Sequence, residues 1–308
     1  AKLNGLHVSG AYIDDKQSLT AHLLSGKEIT YQAWNGLPVQ YADVDSLRTY
    51  NSAGAEKPGE PYNNEVDDYT QRHYLLHYKR LLGSGFSLQL NGHYTRGFGY
   101  FEQYKGSQDF ADYALDYPVL GDSTLENTDL VRRRWLDNHF YGGTFALRRG
   151  FAEGNVLMLG GAFSRYEGRH YGEIIWAEYA IPKDYVYYDN NAAKNDGNVF
   201  LKYDWTVNNK LSLMADMQYR FVQYNFLGYN QDLENVDQKA DLHFFNPKAG
   251  YMLRLTPHWT TMGFFGVANR EPNREDFTQS SPQSRPKPER LYNLELGVKT
   301  NRENWNLG

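Results

Sequence analysis

Polar and apolar positions alternate with a period of two over long stretches of the chain. From Phe86 the sequence runs FSLQLNGHYT, with Phe86, Leu88, Leu90, Gly92 and Tyr94 on one face. Ser87, Gln89, Asn91, His93 and Thr95 fall on the other. That is the signature of a strand with one apolar and one wet face. It returns over Asn155–Arg165, Leu211–Phe221 and Asn293–Lys299. The pattern predicts about eleven strands, near 3–13, 19–33, 69–82, 85–104, 130–149, 155–174, 197–207, 210–229, 239–256, 258–268 and 290–300.

The connections sharpen the fold class. Turns after the odd-numbered strands are short: Asp14–Ser18, Gly83-Ser84, Gly150–Gly154, Asn208-Asn209 and the neighbourhood of Pro257. Connections after the even-numbered strands are mostly long: Trp34–Asp68, Lys105–Asp129, Ile175–Asp196, Asn230–Gln238 and Asn269–Glu289. Such alternation gathers the tight turns at one end of the sheet and the long loops at the other. Outer-membrane barrels have this polarity, and strands of ten or more residues suit a tilted crossing of a bilayer. The expected class is all-β, a transmembrane antiparallel barrel. A soluble carbohydrate-binding β-domain is the alternative from another class, which solubility without detergent would support.

Composition agrees with the barrel. Mean hydropathy is −0.71, and no stretch approaches the roughly 20 apolar residues of a membrane helix. A barrel strand alternates lipid-facing and lumen-facing residues, so low hydropathy does not argue against it. The 26 Tyr, 16 Phe and 6 Trp suit aromatic girdles. The absence of Cys removes disulfides and thiolate metal sites, and a net charge of −5 gives no support for nucleic-acid binding. Ala1 begins directly in the alternation, with no signal-peptide pattern.

Candidate chemistry in the residues is sparse. His73 and His77, four residues apart on one strand face, are too far apart for joint chelation and read as lumen-facing polar groups. Glu167, His170 and Glu173 lack regular ligand spacing, and Asp232, Glu234 and Asp237 lack the glycine of a calcium loop. No nucleophile elbow or phosphate loop is present, so no catalytic residue, metal site or cofactor is assigned and an enzyme is not expected. Arg132-Arg133-Arg134 reads as a solvated strand end, with attraction of an anionic ligand or lipopolysaccharide as the alternative. The long loops are rich in tyrosine, notably YAIPKDYVYYD at Tyr179–Asp189. These aromatics either contact a ligand or pack the loops into a lid.

Two stretches resemble the TonB-dependent receptor family of outer membranes. Asn246–Phe277, NPKAGYMLRLTPHWTTMGFFGVANREPNREDF, is similar to its NPK-G strand, short turn and second strand. That second strand ends in an Arg-x-Pro element, here Arg270-Glu271-Pro272. Arg285–Lys299, RPKPERLYNLELGVK, resembles the KPE strand start, met by Lys287-Pro288-Glu289 and Glu295-Leu296-Gly297. Gly26–Pro38, GKEITYQAWNGLP, looks like Bacteroidetes-type members. Arg270 and Glu289 are expected to meet as a structural ion pair, since the motif belongs to the family whatever the substrate.

The resemblance implies a partial barrel domain over residues 1–308, about half of a barrel of about 22 strands. The family's plug domain and its TonB-contacting segment are not recognisable here, so the chain reads as an internal piece of the barrel. A free half-barrel would carry two open edges. The function implied is TonB-dependent active transport of a scarce nutrient, first a ferric siderophore or other iron complex. Haem, cobalamin or glycan cargo follows, then a passive porin or an outer-membrane enzyme barrel. Expected partners are the small-molecule nutrient complex, outer-membrane lipid and lipopolysaccharide, and TonB through the plug region. Ligand contacts are expected at Tyr31, Trp34, Tyr41, Tyr185, Tyr187, Arg270 and Arg274.

Overall fold

The computed structural model describes residues 1–179, 181–280, 284–302 and 305–307. The strands are β1 (Lys2–Ile13), β2 (Gln17–Tyr31), β3 (Val66–Gly83), β4 (Phe86–Asp109), β5 (Val119–Leu120), β6 (Ser123–Thr124), β7 (Asn127–Gly150), β8 (Val156–Ala177), β9 (Tyr185–Thr206), β10 (Leu211–Gly228), β11 (Gln238–Arg254), β12 (Trp259–Arg270), β13 (Glu289–Arg302) and β14 (Trp305–Leu307). Twelve of them form one antiparallel sheet in simple sequence order, with β1 and β14 at its two ends. β5 and β6 make a separate small hairpin inside the connection from β4 to β7. All eleven expected strands are present; β14 and this hairpin are the additions. The short-long rhythm also holds. The β3–β4 turn runs through Gly83, Ser84 and Gly85, all at positive φ, which two glycines make cheap.

One expectation is corrected. Ile175–Asp196 is not one long loop: β8 runs to Ala177 and β9 already starts at Tyr185. Two features hid this strand. Asp189–Asp196 is too polar for a lipid-facing reading, because this part of β9 lies beyond the hydrocarbon. A register shift between Gly172 and Glu173 also breaks the period of two near Tyr187 and Tyr188.

Register assigns the two faces. Leu88, Leu90 and Tyr94 of β4 stand beside Tyr74 and Leu76 of β3 and Phe145 of β7. Leu201 and Val199 stand beside Met217 and Tyr219. Most of these apolar side chains are exposed, as a lipid-facing surface is when its lipid is absent. Rings border this band. Tyr74, Tyr94 and Tyr141 approach one another at centroid distances of 5.9 and 6.5 Å. Phe163 and Phe221, 6.5 Å apart, continue the row. Gly197 pairs with both, and a Cβ there would collide with the Phe221 ring. At the tight-turn end, Arg149 lies over the rings of Phe86 and Phe151 at 4.8 and 4.5 Å, and Trp205 and Trp259 share that level. Phe86 to Tyr94 rises about 20 Å along the membrane normal at a tilt near 40°, close to the apolar band of such barrels. β4 and β7 have 24 residues each, so their upper parts project past the bilayer on the long-loop side.

Two loops fold onto this sheet, one held by a buried carboxylate and the other by a half-buried one. Glu102 of β4 accepts from Tyr62 Oη at 2.6 Å, Asn64 Nδ2 at 2.5 Å and Arg133 Nε at 2.7 Å, which fastens the 32–65 loop. Burial and the neighbouring Glu102 charge push the Tyr62 phenol up, so it stays a donor. The second loop follows β12. Its short helix α1 (Arg274–Thr278) begins with a capping box between Asn273 and Asp276. Phe277 of α1 packs against Phe226 and Ala240 on the lumen face of β10 and β11. Glu271 meets Arg220 Nη1 at 2.8 Å and Lys194 Nζ at 2.9 Å, while Asp196 holds Arg220 from the other side at 2.6 Å. Burial alone would raise the Glu271 carboxyl; the bonds from Arg220 and Lys194 outweigh it and hold it at about 2.

Two outcomes follow from these faces and latches. Leu201→Arg should lower the unfolding free energy in lipid vesicles by about 2–4 kcal/mol, as for arginine at mid-bilayer on a lipid face. Lys202→Gln on the lumen face should cost at most about 1 kcal/mol in the same urea titration; equal losses would mean the faces are misassigned. A carboxylate with a depressed pKa contributes its stabilisation above the unfolded value and loses it as pH falls through the folded one. The loop after β12 should therefore resist trypsin at Arg274 and Arg285 at neutral pH. Glu271→Ala should speed that cleavage about tenfold, the factor expected for a loss near 1.4 kcal/mol. An acid-stable protease should find the wild-type loop loosened only between about pH 4.5 and 2. Unchanged cleavage in Glu271→Ala would remove the latch.

Candidate functional site

Above the bilayer band, the lumen face carries three guanidinium groups bonded to tyrosine and amide side chains. Strand parity places two of them. In β7, Arg132 and Arg134 point to the lumen, whereas Arg133 points the other way and pairs with Glu102. The arginine run is therefore not a solvated strand end but two inward cations around an outward one. Arg132 Nη1 donates to Tyr113 Oη at 3.0 Å and Nη2 to Gln103 Oε1 at 3.1 Å. Arg134 Nε donates to Tyr187 Oη at 3.1 Å and Nη1 to Gln231 Oε1 at 2.6 Å. Arg274, brought in by α1, donates to Asn190 Oδ1 at 3.1 Å and approaches His170 Nδ1 at 3.5 Å.

Beneath them lies an aromatic floor. Tyr113, Leu130, Ile174, Tyr187 and Tyr188 form one buried cluster. Tyr187 meets Tyr113 at 4.8 Å and Tyr188 at 4.9 Å between centroids. Burial raises the Tyr113 phenol and Arg132 opposes this, so the ring remains neutral. Tyr188 lies within electrostatic reach of Arg132, Arg134 and Arg274 together. None of these three forms an ion pair among the described residues, in contrast to Arg96, Arg133, Arg165, Arg169 and Arg220. The Nε atoms of Arg132 and Arg274 and Nε2 of His170 are buried without a partner in the structure. Cations left without carboxylates in a partly buried setting are attracted to an anion that supplies charge and acceptors together.

The expected contact residues divide among several places. Tyr187 lies in the floor, and Tyr185 packs against it with its hydroxyl donated to the Tyr113 carbonyl at 3.2 Å. Arg274 completes the cluster. Tyr31 donates to the carbonyls of Ala53 and Tyr62 at 3.1 and 2.8 Å and so pins the 32–65 loop. Trp34 stands edge-on to Phe101 at 4.9 Å and is more than half exposed beside a small cleft with Ser52, Glu65 and Gln103. Tyr41 meets Tyr50 within the same loop at 5.8 Å. Arg270 and Glu289 do pair, at 3.8 Å, but both are about three-quarters exposed, so the pair is weak. Glu167, His170 and Glu173 do not gather: His170 faces the lumen, while Glu167 and Glu173 pair with Arg165 and Trp135 on the opposite face. Arg132, Arg134, Tyr113 and Tyr188 were missing from the expected set. For the two arginines the signal was present, since i and i+2 of a strand share a face; Tyr113 lies in a short 3-10 turn that no periodicity marks.

Comparison with known proteins agrees with this architecture. The family model for the TonB-dependent receptor-like β-barrel matches residues 9–308. No curated protein matches the sequence. Among solved structures, the ferric citrate transporter FecA in its unliganded form superposes with a TM-score of 0.69 at 12% identity, covering 97% of this chain and 40% of its own. The ferric-catecholate import receptor Fiu from E. coli K12, in its closed form, gives 0.63 at 12% identity, with 97% and 48% covered. The copper transporter OprC gives 0.63 at 13% identity, with 97% and 43% covered. At such identities the likeness is one of fold, and the chain spans less than half the length of these proteins. With the family model matching nearly its whole length, the chain belongs to the TonB-dependent receptor β-barrel family of the bacterial outer membrane.

Proposed function

We propose that this chain forms part of a receptor that actively imports an anionic metal chelate, first among them a ferric siderophore. The observation that carries this reading is the cluster of Arg132, Arg134 and Arg274, without carboxylate partners, over the Tyr113, Tyr187 and Tyr188 floor. Ferric complexes of catecholate or hydroxycarboxylate chelators combine net negative charge with flat, acceptor-rich edges. Guanidinium groups bond such edges, and the buried tyrosines hold two of the guanidiniums in place through their hydroxyls. Haem shares part of this chemistry through its propionates. Cobalamin and glycans do not present the same charge, which sets them behind. In this reading Trp34 and Tyr41 of the 32–65 loop meet cargo first, and Tyr185, Tyr187 and Arg274 follow. Tyr31 and Arg270 act by holding loops.

Other parts of the proposal rest on family membership. Residues 1–308 act as a partial barrel domain with a plug domain and, through it, TonB. The Gly26–Pro38 segment supports a Bacteroidetes-type receptor. Above the upper ring row, the outward pairs Arg165–Glu167 and Arg169–Asp189, at 2.7 and 2.6 Å, supply polar groups for lipopolysaccharide.

Equilibrium binding and uptake of radioactive iron chelates by cells test the reading. Arg134→Ala and Arg274→Ala should each weaken binding of an anionic ferric chelate about ten- to thirtyfold, the loss of one or two charge-assisted hydrogen bonds. Affinity for a neutral complex should stay unchanged. Binding of the anionic chelates that ignores both substitutions would remove the proposal.

A further inference from the structure

A second group of side chains lies on the outward face, at the long-loop edge of the lipid-facing band, and has no part in the cation cluster. Arg72 of β3 and Arg96 of β4 stand directly opposite each other. They share the parity of Tyr74 and Tyr94, the next outward pair toward the hydrocarbon, so both point away from the lumen. Like charges directly opposite in a sheet repel. The carboxylates at this level are already taken: Asp68 by Lys27 at 3.1 Å and Asp137 by Arg96. Arg72 is exposed and makes no ion pair or hydrogen bond among the described residues. The bonds of Arg96 to Asp137 and to the Gly97 and Asn138 carbonyls all leave from Nη1, so its Nε and Nη2 remain for another acceptor. Just below the tyrosine pair, whose rings are 5.9 Å apart, the outward face of β1 to β4 holds an open apolar recess of about 630 Å³. Gly10, Ala21 and Gly92 floor it beside Leu76. Nothing in the protein calls for glycine at 92. Its φ is not positive, and an added Cβ would come no nearer than 4.0 Å to the Gly142 carbonyl.

We propose that this face binds one lipopolysaccharide molecule through its lipid A, with a phosphate between Arg72 and Arg96 and an acyl chain in the recess below Tyr74 and Tyr94. The proposal deepens the lipopolysaccharide contact named above and rests on that reading. Three observations support it. The long-loop side of an outer-membrane barrel faces the outer leaflet, and the lipid of that leaflet is a phosphorylated, acylated sugar. Along the membrane normal the protein presents a cation pair, then two tyrosines, then an apolar recess, the order in which lipid A presents phosphate, sugar and acyl chain. Residues directly opposite in an antiparallel pair have Cα atoms about 4.5–5.5 Å apart, so both guanidiniums reach one phosphate. An anion there turns their repulsion into two sets of charge-assisted bonds, and no existing bond of Arg96 has to break. The outward pairs Arg165–Glu167 and Arg169–Asp189 neutralise themselves, so the net positive charge that selects a phosphate comes from Arg72.

The full-length protein that carries this chain, purified in detergent and stripped of lipid, would be titrated with bis-phosphorylated lipid A and followed by native mass spectrometry. Lipid A should bind tightly, and neither phosphatidylglycerol nor inorganic phosphate should displace it. Arg72→Gln should weaken that binding about tenfold, the loss of a charge-assisted hydrogen bond. The same substitution should leave the weaker binding of fully dephosphorylated lipid A unchanged. Gly92→Leu, which the backbone accommodates, should weaken both lipids about fourfold by filling the recess, the contribution of one buried methylene group. Arg80→Gln, outward on the tight-turn side, should change neither. Heat-modifiable gel migration confirms that each variant is a folded barrel, and ferric-chelate affinity should be the same in all of them. Folded Arg72→Gln and Gly92→Leu proteins that bind lipid A as tightly as the parent, while Arg169→Gln loses it, would overturn this site and keep the broader lipopolysaccharide contact. A parent protein that binds no lipid A would overturn both.

Discussion

Inside hydrocarbon every backbone N–H and C=O must find a partner within the protein, because water is not there to supply one. Between the two end strands of the described sheet that partner is the neighbouring strand, and the strands follow one another in plain sequence order along an almost unbroken ladder. Everything else follows from the pairing. Once register is set, parity decides which side chain meets lipid and which meets the lumen. A one-residue slip would exchange Leu201 with Lys202 and Arg132 with Arg133. Three of the four register shifts lie toward the projecting ends, at Lys105–Gln108, Val131–Arg132 and Gly172–Glu173, around the guanidinium cluster, and the fourth, at Leu81–Gly83, lies beside the tight β3–β4 turn. The ladder is regular where lipid enforces it and irregular where the site is built.

That contrast explains what could be read from the sequence. Strands such as Phe86–Thr95 and Leu211–Phe221 were legible because lipid on one side and water on the other impose opposite chemistry on adjacent residues. β9 was legible only from 197 onward. Its upper part, Tyr185–Asp196, has no lipid face and so no reason to alternate apolar with polar. The motifs at 246–277 and 285–299 pointed to the family, and the family model agrees over residues 9–308. Sequence spacing did not give the site, because its members come from the 3-10 turn at Phe110–Tyr113, from β7 and β9, and from a helix that follows β12. Tertiary packing of a latched loop sets Arg274 beside Asn190, 84 residues away in sequence.

High on the long-loop side of the lumen wall, three guanidiniums bonded to tyrosine and amide side chains suit an anion with flat edges. Glu271, Arg220, Lys194 and Asp196 tie the loop after β12 to the wall and so fix the position of Arg274. A loop held by ion pairs rather than by covalent links can be released and re-formed.

The central claim is that the cargo meets the face bearing Arg132 and Arg134. Because the chain contains no cysteine, a single introduced thiol reports on its own face without background. Leu136→Cys places one on the lumen face two residues below Arg134, and Asp137→Cys places one on the opposite face. Both would be labelled on intact cells with a membrane-impermeant maleimide, with and without an anionic ferric chelate. The account predicts that the chelate protects the thiol of Leu136→Cys and leaves that of Asp137→Cys unchanged. Protection of the outward thiol alone, or of neither, would contradict it.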